Sequence, residues 1–302
     1  MPISHEFLMH AVYFAPRGRR RIHALGEEIA QRYLSAEDLL IGVIGDAGAG
    51  KSLLIQGMFP GLELSNDDRG INVRPLPLLS HAENDNFEHH TYHVDMLFEL
   101  AFSQPAQLAD AVRKALKENC RVVVEHYELL YPQLERNAHV LVGVGEEVII
   151  ARPGIFGPLP DEIKTIVYKS LYYRKMAHSS EDITQQVLER MGVTRASDHD
   201  DVRRGFMLCY PQRPQADLRL VEELVKEIIA KDLTIIPEGN RRIKFGDMKM
   251  RCTGPRIHVR STGEIKNFRL LKNYVYDPQR EGYGIVGLVG EEPASFFAVD
   301  ED

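Results

Sequence analysis

The eight residues Gly45-Asp46-Ala47-Gly48-Ala49-Gly50-Lys51-Ser52 constrain this chain more than any other stretch. They fit the spacing of a phosphate-binding loop, in which a lysine and a serine close a glycine-rich turn. The flanks agree: residues 39–44 are an apolar run of strand type, and residues 52–58 read as a helix that Pro60-Gly61 ends. Glycines let backbone N–H groups turn toward a phosphate, Lys51 sets a cation against β/γ charge, Ser52 offers an oxygen to Mg²⁺, and the helix start adds its positive end. The expected ligand is ATP or GTP with Mg²⁺, held by Gly45, Asp46, Ala47, Gly48, Ala49, Gly50, Lys51 and Ser52.

Strand, loop and helix form the repeating unit of a parallel sheet, and the chain keeps to that rhythm. A helix at 19–34 carries Ile22, Leu25, Ile29, Ala30 and Tyr33 at helical spacing. A short second strand is expected in "GLELSNDD", then a polar, His-rich loop at 85–93, an amphipathic helix at 105–117, and strands at 121–125, 140–144 and 147–151. This pattern predicts an α/β P-loop domain with a mainly parallel sheet over residues 1–160. After "RPGIFGPLP" at 152–160, a linker or an ordered loop, the texture changes. Helices at 161–191 and 217–231, a strand at 202–209 and short β-like runs from 234 onward predict an α+β second domain over 161–302. With 302 residues, 44% of them apolar, the chain is long enough for two cores.

Three scattered cysteines, Cys120, Cys209 and Cys252, make no disulfide framework and fit a reducing compartment, so the cytoplasm is the expected location. The short apolar run at 7–14 precedes its basic cluster, the reverse of a secretory signal, and no apolar run reaches the roughly 18 residues of a membrane span. The net charge of −7 argues against a nucleic-acid partner, yet residues 240–274 hold ten Lys and Arg against Asp247 and Glu264, a local +8. That cluster reads either as a solvated sheet face or as a phosphate-backbone surface.

Phosphoryl transfer needs carboxylates at strand ends to hold Mg²⁺ and to position or deprotonate a nucleophile. Glu125 ends "VVVE", Asp67 and Asp68 end the expected second strand, and Asp95 follows "TYHV". Each also suits an ordinary turn. His81, His89, His90 and His93 form a second, less regular metal candidate, with no defined ligand spacing.

"VVVEHYELLYPQLERNAHVLVGV" resembles the strand-Glu-loop-Pro-x-Leu-strand segment of the uridine kinase and phosphoribulokinase branch of P-loop kinases, and "ELSNDD" resembles that branch's second strand. The resemblance implies that Asp67 or Asp68 is the general base and that Glu125 contacts Mg²⁺ or substrate, with Lys51 the fourth catalytic residue. Of that branch's arginine-rich lid the chain shows only Arg152 and the Arg174-Lys175 pair, which leaves plain nucleotide hydrolysis open beside kinase chemistry.

In the second half, "CTGPRIHVRSTGEIKNF" from Cys252 to Phe268 is similar to the Cys/His and "TGEI..F" segment of the second additional domain shared by alanyl- and threonyl-tRNA synthetases. Upstream, "HSSED" places His178 and Asp182 where that family has His-x-x-x-His. The resemblance implies a four-ligand Zn²⁺ site in which His178 and Asp182, at i and i+4 on one helix face, meet Cys252 and His258. The chain departs from the family in Asp182 and in the five residues between Cys252 and His258. The resemblance implies a P-loop domain joined to an editing-type domain, with a tRNA or a small nucleoside-like substrate as partner. Three functions follow: an ATP-dependent phosphotransferase or ATPase, an aminoacyl-tRNA deacylase, and an ATP-switched RNA-binding module.

Overall fold

The computed structural model describes residues 9–16, 18–66, 73–239, 241–252 and 254–291. The chain divides into two compact units, Met1–Leu171 and Tyr172–Asp302. It is a mixed α/β protein with one mostly parallel sheet and further antiparallel sheets. Among the described residues no helix is long and apolar enough to cross a membrane.

In the first unit the elements run β1 (Met9–Phe14), α1 (Arg19–Tyr33), β2 (Leu40–Ile44), α2 (Lys51–Met58), α3 (Pro77–Glu83), β3 (Thr91–Asp95), α4 (Met96–Glu99), α5 (Pro105–Lys117), β4 (Arg121–Glu125), α6 (Tyr127–Leu134), β5 (Val140–Val144) and β6 (Glu147–Ala151). The helix α7 (Pro160–Arg190) begins here. The sheet order is β1-β6-β5-β2-β4-β3. The β5-β2, β2-β4 and β4-β3 pairs are parallel, whereas β6 turns back antiparallel on β5 and β1 closes that edge antiparallel to β6.

The central strands are apolar on both faces because both faces are covered. Ile41, Val43, Val123, Val140 and Val142 point into the core under α1 and α2, with Ile22, Ile29, Leu54 and Ile55. The alternate positions Leu40, Ile44, Val122, Val124 and Leu141 point into the other core, with Leu108 and Val112 of α5 and Leu130 of α6. This period-2 division fixes the register of the sheet, since a slip of one residue would exchange the two cores.

The sequence expectations hold for β2, β4, β5, β6, α1 and α5 within a residue. Residues 62–66 form no strand, because the Ser65 N–H donates to the His93 ring (3.0 Å) instead of to a ladder. The expected His-rich loop is half strand: β3 inserts Tyr92 and Val94 into the core, an alternation that the intervening His93 conceals. Strand β1 lies in the apolar run at 7–14, which carries no turn signal to mark it as paired.

Helices α1 and α2 meet at Gly26 and Gly57, close enough that a Cβ on Gly57 would collide with the His23 carbonyl oxygen and lie 3.1 Å from the Gly26 Cα. At the other end of β2 the Asp38 carboxylate accepts both Arg152 Nη groups (2.7 Å each) and the Ser35 N–H (2.7 Å). Burial alone would push the Asp38 carboxyl up, but the Arg152 and Ser35 hydrogen bonds outweigh it and hold the group down at about 2.

The second unit contains the rest of α7, then β7 (Asp198–Val202), β8 (Gly205–Tyr210), α8 (Leu218–Ala230), β9 (Ile235–Glu238), β10 (Arg242–Phe245), β11 (Met248–Arg251), β12 (Arg269–Leu270), β13 (Val275–Asp277) and β14 (Gly282–Leu288). One sheet runs β12-β14-β8-β7 with β13 also on β14, and a second runs β11-β10-β9. All these pairs are antiparallel. The strand expected at 202–209 is the return of a hairpin, because Arg204 takes a left-handed conformation (φ 53°) and reverses the chain. Phe206, Leu208 and Ile285 from the sheet pack with Ile183 and Val187 of α7 and Val221 and Val225 of α8.

Two stability tests follow. Helix propensity alone favours Gly57→Ala by about 1 kcal/mol. The collision reverses the sign, so this variant should unfold about 1–3 kcal/mol more easily in urea; a gain in stability would show that α1 and α2 are not held at this spacing. Asp38→Asn should cost about 2 kcal/mol at pH 7 through loss of charge-assisted hydrogen bonds. Because the folded pKa lies below the unfolded one, that contribution is complete above about pH 4 and is lost as pH falls toward 2, where wild type and variant should converge.

Candidate nucleotide and metal sites

The loop at 45–52 leaves the centre of the sheet between β2 and α2. Gly50 is the N-cap of α2 in a left-handed conformation (φ 98°), and no side chain caps the helix. Its first N–H groups are therefore open to an anion. Lys51 is 7% exposed and folds back so that Nζ donates to the Asp46 carbonyl (3.3 Å).

Parallel pairing of β4 beside β2, with Glu125 in register with Val43, sets Glu125 next to this loop. The Ser52 hydroxyl donates to Glu125 Oε1 (3.3 Å), and Lys51 Nζ lies 3.8 Å from Oε2. His93 on β3 completes the group. Its Nδ1 accepts the Ser65 N–H, so the ring proton sits on Nε2, which donates to Glu125 Oε1 (3.2 Å). Burial pushes the Glu125 carboxyl up, but the His93 hydrogen bond and the Lys51 charge bring it below the usual carboxylate value. The result is a buried carboxylate held charged beside a lysine, a serine hydroxyl and an uncapped helix start. That donor set fits a phosphate with a divalent cation.

Asp67 and Asp68 lie outside the described residues. Asp95 pairs with Glu125 across the strands, but its side chain is taken up in capping α4 at the Phe98 N–H (3.3 Å) and accepting from Asn66 (3.0 Å). His81, His89, His90 and His93 do not gather into a metal-ligand group: His81 bonds the Tyr92 hydroxyl (2.8 Å), and His93 is committed to Glu125. Sequence reasoning passed over His93 as a partner of Glu125, and also His126, Glu128 and Tyr168, which form a buried polar chain just beyond Glu125.

In the second unit α7 presents His178 and Asp182 on one face, and the segment after β11 brings Cys252 and His258 to them. One ligand atom from each of the four lies within 4.8 Å of the others. His178 Nε2 is 3.2 Å from Cys252 Sγ, and His258 Nε2 is 3.1 Å from Asp182 Oδ2.

The decisive detail is where the ring protons sit. The Pro255 carbonyl faces His258 Nδ1 (3.2 Å) and the Glu181 carboxylate faces His178 Nδ1 (3.2 Å); both can only accept, so both Nδ1 atoms carry hydrogen. In the neutral rings both Nε2 lone pairs then point into the cluster, against a carboxylate and a sulfur. Four electron-pair donors facing one another require a cation between them, either protons or a metal ion. Burial holds His258 toward its neutral form and pushes the Cys252 thiol up, with Asp182 and Glu181 adding to the latter. Ligand bonds of about 2.0–2.3 Å place tetrahedral donors roughly 3.5 Å apart, so the two close pairs, at 3.2 and 3.1 Å, would open slightly while the wider ones, up to 4.8 Å, would close. The cluster could hold a metal ion. Glu181, which also bonds His199 Nδ1 (2.5 Å), is legible in retrospect as the i+3 neighbour of His178, whereas His199 carries no sequence signal.

No protein-family model matches the chain, and no curated protein matches it.

Chelator-treated protein titrated with Zn²⁺ should take up about one ion per chain and gain stability, by about 2.7 kcal/mol at a hundredfold excess over Kd. Asp182→Ala and Cys252→Ala should lose both effects. Uptake that survives in both variants would place the metal elsewhere.

Proposed function

We propose that the chain is a nucleoside-triphosphate-dependent enzyme, a phosphotransferase or an NTPase, whose 45–52 loop binds ATP or GTP with Mg²⁺. The observation that carries this reading is the meeting of Lys51, Ser52 and a charged Glu125 at the open start of α2. In this reading the N–H groups of the loop and Lys51 hold the β- and γ-phosphates, while Ser52 and Glu125 hold Mg²⁺. His93 fixes the orientation of Glu125 and, by donating to it, stabilises its ionised form. Asp67 or Asp68 serves as the base toward an acceptor hydroxyl or water, as the resemblance to the uridine kinase and phosphoribulokinase branch implies.

For the second unit we propose a Zn²⁺ site at His178, Asp182, Cys252 and His258 in a domain of synthetase editing type. The inward-facing lone pairs of the two imidazoles favour it. With all four side chains bound, Zn²⁺ would have no open position and would act as a structural clamp; were one ligand to give way to water, the metal would supply the Lewis acidity that deacylation of a mischarged tRNA requires. Either a tRNA or a nucleoside-like molecule would then be the substrate brought to the nucleotide-driven step.

Lys51→Ala should abolish ATP and GTP binding, measured by isothermal titration, while leaving the circular dichroism spectrum unchanged. Turnover of the wild type assayed with nucleosides and with total tRNA separates the two substrates: nucleoside stimulation marks a kinase, and tRNA stimulation marks an RNA-coupled NTPase. Undiminished nucleotide binding by a folded Lys51→Ala protein would remove the nucleotide reading.

A further inference from the structure

Of the ten Lys and Arg in residues 240–274, four gather on one surface. Strands β9, β10 and β11 turn Ile235, Ile243, Phe245 and Met250 into the core. The alternate residues Ile236, Glu238, Arg242, Lys244, Lys249 and Arg251 therefore share the opposite, outer face. In register, Arg242 stands directly across from Arg251 and Lys244 directly across from Lys249. Arg242, Lys249 and Arg251 are exposed and Lys244 is half-buried.

Like charges directly opposite on neighbouring strands destabilise a sheet. Here two such pairs sit side by side. One anion offsets them: Lys249 Nζ pairs with Glu238 (2.9 Å), while Arg242, Lys244 and the Arg251 guanidinium make no ion pair among the described residues. Arg195, whose guanidinium donates to the Arg251 carbonyl (3.2 Å) on the outer strand β11, is paired with Glu189 (3.8 Å) and adds little charge to this edge. The adjoining residue, Cys252, turns inward to the ligand cluster. Glu238 also stands directly across from Arg242, so the face carries four cations against one carboxylate, an excess that is complementary to a row of phosphates.

We propose that this face docks the phosphate backbone of a nucleic-acid duplex. Its residue types narrow the partner. The face carries no aromatic side chain, so it lacks the stacking platform that single strands use. It also carries no Asn or Gln, the side chains that pair bidentately with adenine. Contacts from Lys and Arg to phosphates make such binding steeply dependent on salt. This assignment does not depend on the nucleotide site in the first unit.

The like-charge pairs supply an unusual control. Lys244→Glu and Arg251→Glu each convert a like pair into an opposite pair, so the double variant should melt at the same temperature as the wild type or higher. The measurement is equilibrium binding of the full chain to an RNA duplex and to a DNA duplex of the same sequence, at 50 and 200 mM KCl. Four phosphate contacts predict an affinity loss of about 150-fold across that range, and the double variant should bind more weakly with a dependence of about tenfold or less. RNA and DNA arms tell which backbone the face prefers. Absence of duplex binding at 50 mM, equal binding by a stably folded double variant, or displacement of the duplex by poly-glutamate at equal charge would each overturn the proposal, the last by assigning the face to an acidic protein.

Discussion

The parallel pairing of β2 with β4 is the constraint on which the first unit depends. Backbone hydrogen bonds fix Val43 opposite Glu125, so the loop that leaves β2 and the carboxylate that ends β4 emerge side by side. Without that register Glu125 would lose Lys51 and Ser52 and keep His93 alone, too little to hold a charge that a protein interior otherwise expels. The two cores above and below the sheet enforce it, because Ile41 and Val43 belong to one and Leu40 and Ile44 to the other.

Much of this was legible because the relevant signals are local. The run before Gly45, the helix after Lys51 and the β-branched "RVVVE" each carry their own period, and the structure follows them. Strand β3 was not, since Thr91–Asp95 is read as polar until His93 is known to be sealed between Ser65 and Glu125, residues distant in sequence. The same holds for the hairpin at Arg204, where a left-handed arginine does what a glycine usually announces.

The second unit shows a similar division. Spacing of four on a helix predicts that His178 and Asp182 share a face, and the structure brings Cys252 and His258 to that face. Composition cannot say which nitrogen of each ring bears the proton. That is decided by the Pro255 carbonyl and the Glu181 carboxylate, and it is what turns four neighbouring polar groups into a set of converging donors. Residues 254–257 bend around an Ile257 N–H to Gly254 carbonyl bond (3.0 Å), which turns the chain so that His258 reaches the cluster.

The opposed cations on β10 and β11 bear on more than recognition. Most surface electrostatics in a folded protein are mildly attractive, so added salt weakens them. In this sheet the net cross-strand term is repulsive, and mobile anions relieve it. Moderate ionic strength should therefore favour the β10–β11 pairing, while it would screen the proposed attraction of that same face for a polyanion. Salt would thus act in opposite directions on the sheet and on the proposed phosphate contacts, and a phosphate row, were one bound, would take the place of the anion atmosphere that the free sheet draws around itself.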